Sequence, residues 1–147
     1  YEALSEGMRK LIDGLVGVNS AGLKYGVGRP AVHKNIGAMR VHDTDSADSY
    51  EAEHPVARTH PVTGRKALYL SRSHTIRFRG MTEEESRPLI EWLALHQQRP
   101  EFTCRVRWMP GTLTIWDNRC TQHNAVNDYH GQRRRMRPLT AGAQTPG

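Results

Sequence analysis

The chain has 147 residues and a formal net charge of +6, a length that suffices for one domain with its own core. No apolar run is long enough to span a bilayer, and the two cysteines, Cys104 and Cys120, are too few for a disulfide framework, which fits a reducing compartment such as the cytoplasm. The basic surplus, with an isoelectric point near 9.7, would suit nucleic acid, but apart from the cluster Arg133-Arg134-Arg135 with Arg137 the cations are spread along the chain and form no base-reading motif, and steering of small anions is a sufficient account of the charge.

Residues 2–15 place Leu4, Met8, Leu11, Ile12 and Leu15 on one stripe, which predicts an amphipathic helix closed by Gly14 and Gly17 with Asn19 and Ser20. From 18 to 53 the composition turns to Gly, Ser, Asp, Asn and Pro with few apolar anchors. That length is unusual for a plain connection, and the segment is read as a lid loop. Lys24, Tyr25 and Arg29 could reach a substrate from it, although a surface position is the simpler account of each.

Strands are predicted next. Residues 55–59 and 66–70 flank the Pro- and Gly-containing stretch from His60 to Arg65 and read as a hairpin, and 71–79 supplies a further strand. Thr82 with Glu85 is a capping-box pair. It opens a helix on Leu89, Ile90, Leu93 and Leu95 that runs to about Gln98, before Pro100 stops it. Phe102, Cys104, Val106 and Trp108 then alternate with Thr103, Arg105 and Arg107, the period of a half-buried strand in which Cys104 is a small buried hydrophobe. Pro110-Gly111 turns the chain, and a return strand through Leu113 and Ile115 delivers the segment Trp116-Asp117-Asn118-Arg119-Cys120-Thr121-Gln122-His123.

That segment and the Gln132-Arg133-Arg134 run behind it resemble the WDNR-x-x-x-H motif and the following QRR or HRR run of the taurine dioxygenase family of Fe(II)/2-oxoglutarate-dependent dioxygenases. The stretch from His54-Pro55 through Arg58-Thr59-His60-Pro61 and Gly64-Arg65-Lys66-Ala67-Leu68-Tyr69 is similar to the same family. So are Glu83-Glu84-Glu85 and Pro100-Glu101-Phe102.

The resemblance implies a mostly β fold with flanking helices, the C-terminal part of a double-stranded β-helix of the jelly-roll or cupin-like kind. It implies Fe(II) as metal, 2-oxoglutarate and O2 as co-substrates, and hydroxylation of a small anionic molecule with release of succinate and CO2. An alkylsulfonate such as taurine, an alkyl sulfate and an aryloxyalkanoate all remain open as substrate. His123 would be the catalytic iron ligand, because such oxygenases hold the metal with two histidines and one carboxylate. Arg134 would hold the distal carboxylate of 2-oxoglutarate, since a guanidinium offers two parallel donors and keeps its charge when buried. Arg133 and Arg135 should face the other side of the strand, and a register shift of one residue would exchange the roles. His130, in the turn Asp128-Tyr129-His130-Gly131, is the nearest competitor to His123. Trp116, Asp117, Asn118 and Arg119 are expected to shape the turn through hydrogen bonds rather than to react.

Two departures stand out. Family members that act on sulfonates place a second arginine where this chain has Pro138, which leaves Arg137 as the candidate substrate residue. The family's N-terminal half carries a His-x-Asp iron pair and a threonine for 2-oxoglutarate, and neither falls here in the expected context. His42-Asp43-Thr44-Asp45 fails the pattern because Thr44 stands where the aspartate is needed. The expectation is therefore the C-terminal portion of one catalytic domain, inactive by itself, in a protein that forms a homo-oligomer. The competing reading is a non-catalytic remnant of the family kept as a binding domain.

Overall fold

The computed structural model describes residues 1–20, 51–124 and 126. Helix α1 spans Glu6–Asp13. Ser5 caps it, its Oγ accepting from the Met8 backbone N–H at 3.3 Å, and Glu6 and Lys10 sit at the termini where their charges oppose the helix dipole. The helix is shorter than its apolar stripe predicts. Ile12 and Leu4 are buried, whereas Leu11 turns to solvent.

Strand β1, Val16–Ser20, follows Gly14 almost at once and is the centre of a three-stranded antiparallel sheet ordered β2-β1-β5. Strand β2 is Glu51–Pro55 and β5 is Thr75–Phe78. The reading of Gly17, Asn19 and Ser20 as helix terminators missed β1, and the 18–53 loop loses both ends to this sheet, with Ser20 paired to Glu51 and Val18 to Glu53. Residues 21–50, which hold Lys24, Tyr25, Arg29 and the His42 stretch, lie outside the described residues.

Strands β3, Ala57–Thr59, and β4, Lys66–Leu68, pair antiparallel with Arg58 opposite Ala67, as the hairpin expectation required. Gly64 closes the turn at φ +69°, a left-handed conformation that glycine adopts without steric cost. Exposed ion pairs run from Lys66 to Asp13 and from Arg65 to Glu2 and lay α1 against this hairpin. Their contribution to stability is small because both pairs are in water.

Helix α2 spans Glu83–Gln97, and Thr82 and Glu85 form the expected capping box. It packs on β5. Ile90, Leu93 and Ala94 meet Phe78, Leu70, Val56, Ile12 and Leu4 in one core. Burial of a side chain the size of Phe78 or Leu93 stabilises by roughly 1.5–3 kcal/mol. Ser86 is buried at the start of α2, where its Oγ accepts from Phe78 N–H at 2.9 Å and donates to the Thr82 carbonyl at 2.7 Å. A single hydroxyl thus ties the helix to the sheet.

The two strands expected over 102–108 and 113–117 do not form among the described residues. Pro100–Phe102 is a short 3-10 helix, and beyond it Val106, Trp108, Met109, Leu113 and Ile115 are exposed. Cys104 is exposed as well, contrary to the buried position its alternation suggested. The physical reason is that a half-buried strand needs a neighbour to bond to and a layer to face, and the described strands pair only with one another. Among the described residues no helix is long and apolar enough to cross a membrane.

Candidate functional site

The turn from His60 to Arg65 folds its backbone around its own histidine. His60 N–H donates to the Arg65 carbonyl at 2.8 Å, and the His60 carbonyl accepts from Gly64 N–H at 2.9 Å. The amides of Val62 and Thr63 both point at His60 Nδ1, each at 3.2 Å. A ring nitrogen that accepts two N–H donors carries no hydrogen, so the hydrogen resides on Nε2. That Nε2–H meets Asp117 Oδ2 at 2.9 Å.

Asp117 is the hub of the second turn. Its carboxylate takes a bidentate grip from Arg119, with Nη2 at 2.6 Å from Oδ2 and Nε at 2.9 Å from Oδ1, and the Arg119 backbone N–H adds a bond of 2.8 Å to Oδ1. The Arg119 guanidinium, with His60 behind it, holds the Asp117 carboxyl well below the usual carboxylate range, and Asp117 in turn raises the Arg119 guanidinium. The Asp117 carbonyl accepts from the Thr121 hydroxyl and amide. Trp116 Nε1 donates to Asn118 Oδ1 at 2.8 Å. These four residues shape the turn, as expected of them.

The same segment is held again further on. Gln122 Nε2 donates to the Leu70 carbonyl and, at 3.0 Å, to Gln97 Oε1 at the end of α2. His123 comes next. Its ring lies against Trp116 with centroids 5.2 Å apart and the planes tilted by 51°, and it is exposed.

His60, Asp117 and Cys120 bring possible ligand atoms within 4.8 Å of one another, the one such group among the described residues. They do not suit a metal. Both nitrogens of His60 are committed to hydrogen bonds, and a cation beside Asp117 would sit against the Arg119 guanidinium. His123 is different, since no hydrogen bond engages its imidazole among the described residues. An imidazole is one of the donor types an iron site of this kind takes. Two further ligands are required, and the described residues do not gather them around it. Arg134, Arg137, Pro138 and His130 lie outside the described residues.

The position of His60 was not foreseen. Its RTHP-x-x-G turn stood out in the sequence only as a marker of resemblance, and nothing in the spacing announces a partner 57 residues away.

The model of the family described as taurine catabolism dioxygenase TauD, TfdA family matches residues 1–140. The chain belongs to that family. It is 38% identical over 147 residues to the alpha-ketoglutarate-dependent sulfate ester dioxygenase of Pseudomonas putida, covering 99% of this chain and 48% of that one. It is 39% identical over 148 residues to the alkylsulfatase of Acinetobacter baylyi, covering 100% and 46%. The crystal structure of a taurine dioxygenase from Burkholderia xenovorans superposes with a TM-score of 0.54 at 34% identity, over 74% of this chain and 31% of that one. The chain therefore spans about half the length of these curated relatives.

Proposed function

We propose that this chain forms the C-terminal part of the catalytic domain of an Fe(II)/2-oxoglutarate-dependent dioxygenase that hydroxylates a small anionic organic substrate, with sulfate esters and alkylsulfonates foremost. The observation that carries the reading is the delivery of an exposed His123 imidazole, with no hydrogen bond to it among the described residues, by a turn fixed at both ends. Relatives named for alpha-ketoglutarate and sulfate esters support the reaction type and the substrate class. Aryloxyalkanoates remain open within the same chemistry.

In this reading His123 supplies one imidazole ligand, and the protein beyond these residues supplies a second histidine and a carboxylate. Arg134 grips the distal carboxylate of 2-oxoglutarate with two parallel donors. Arg137 offers its charge to the anionic group of the substrate, since Pro138 has no donor to give. Trp116 packs against one side of the His123 ring and restricts its rotation. The bound iron supplies the oxidation of the substrate C–H bond by O2, coupled to loss of CO2 from 2-oxoglutarate. The similarity to TauD-type dioxygenase structures supports a double-stranded β-helix for the complete domain. We propose a cytoplasmic homo-oligomer.

A second reading is a non-catalytic remnant of the family that binds a small anion. One experiment separates the two. The full-length protein is supplied with Fe(II), 2-oxoglutarate and O2 together with alkyl sulfates, alkylsulfonates or aryloxyalkanoates in turn, and succinate is measured alongside sulfate, sulfite or phenol. Succinate formed in step with one leaving group supports the enzyme and names its substrate class. No 2-oxoglutarate turnover with any of them, in a protein that still binds the anions, supports the remnant.

A further inference from the structure

We propose that His60 is a positioning residue for His123, acting through Asp117, and that Gln122 is the second anchor of the same loop. The inference rests on the iron-ligand reading of His123.

The geometry leads there in steps. The hydrogen of His60 is fixed on Nε2 because Val62 and Thr63 donate to Nδ1. The imidazole is therefore a donor toward Asp117 and cannot turn to serve another acceptor without giving up both bonds from the Val62 and Thr63 amides. Asp117 in turn sets the conformation of residues 117–121 through its carboxylate on Arg119 and its carbonyl on Thr121. Gln122 pins the far end of that segment to Leu70 and Gln97. His123 follows directly, so its Cα is placed between a fixed residue and the Trp116 face.

The segment itself makes no sheet among the described residues, so these side-chain bonds substitute for the ladder that would otherwise hold a ligand-bearing strand. His60 is nearly buried and held by backbone, and so is a rigid point of reference. Asp117 is a third exposed, and its other carboxylate partner, Arg119, belongs to the same turn, so His60 is its tie to the rest of the fold.

A purely structural pair would stabilise the fold without affecting the metal, and the test separates the cases. Metal affinity of the full-length protein is measured by anaerobic equilibrium titration with Fe(II), and independently with Mn(II), in wild type, His60→Ala, His60→Gln and Leu93→Ala. Leu93 is fully buried in the core and makes none of the loop's hydrogen bonds, so its truncation reports general loss of stability. The expected result is a rise in the metal dissociation constant of about 10- to 100-fold in His60→Ala, the range found when partners of ligating residues are removed. His60→Gln, whose amide N–H can reach Asp117 from the same place, should recover most of it, and folded Leu93→Ala should bind metal as wild type does.

Wild-type affinity in folded His60→Ala would overturn the proposal, as would equal losses in His60→Ala, His60→Gln and Leu93→Ala. If His60→Ala does not fold, Gln122→Ala releases the other end at a more exposed position. It should raise the dissociation constant in the same sense, and an unchanged value would overturn the proposal. Failure of the wild-type protein to bind either metal would overturn the dioxygenase reading, and this inference with it.

Discussion

The Asp117 carboxylate is shared between Arg119, two residues ahead, and His60, 57 residues behind, so one side chain joins a local turn to a distant hairpin. An exposed ion pair between near neighbours would contribute little. The addition of a nearly buried, backbone-anchored histidine makes the bond a fixed contact between two parts of the fold.

A pH dependence follows from that contact. Arg119 and His60 depress the Asp117 carboxyl in the folded protein, so the unfolded chain takes up its proton at a higher pH than the folded one. The stability this provides is fully present above the ordinary aspartate value of about 4 and is lost as pH falls through the lower folded value. Thermal unfolding of wild type and Asp117→Asn should differ most near neutrality and converge as the solution is acidified below about 4. A difference that persists or widens in acid would show that the carboxylate charge is not what holds the turn.

Ser86→Ala should cost about 1–3 kcal/mol of unfolding free energy, because it leaves the Phe78 N–H without its acceptor in the core. Denaturant titration measures it. A loss below about 0.5 kcal/mol, the range of an ordinary surface change, would mean that water or a shifted carbonyl has replaced the hydroxyl.

The two arginines that follow the loop should divide the anions between them. Removing Arg134 should raise the apparent constant for 2-oxoglutarate at least tenfold, since truncating one partner of a buried charge pair typically costs about 2–5 kcal/mol. Arg137→Ala should leave that constant nearly unchanged and weaken the acidic substrate, while succinate continues to form without hydroxylation. Equal losses of 2-oxoglutarate affinity in both variants would mean the two side chains share a face.

Local chemistry was legible where the signal was local. Thr82 and Glu85 announced α2, and the apolar run on Leu89, Ile90 and Leu93 carried it to Gln97. The hairpin around Gly64 was equally plain. Strand β1 was hidden because Gly17, Asn19 and Ser20 are poor strand formers by composition, and their pairing to β2 and β5 overrides that preference. The alternation from Phe102 to Trp108 encoded a face but not the neighbour that would cover it. At the site, the sequence pointed to His123 and to a turn-shaping role for Asp117 and Arg119. It did not reveal that His60 and Gln122 fix the two ends of that turn, because such bonds depend on which distant segments the core brings together.

The most direct test of the account is Fe(II) binding by the full-length protein with His123 replaced by alanine, followed by anaerobic titration and by succinate formation in air. If His123 is an iron ligand, His123→Ala loses Fe(II) and forms no succinate while its unfolding transition stays close to that of wild type, since the exposed ring supports little of the core. Iron bound at wild-type stoichiometry in that variant would contradict the assignment.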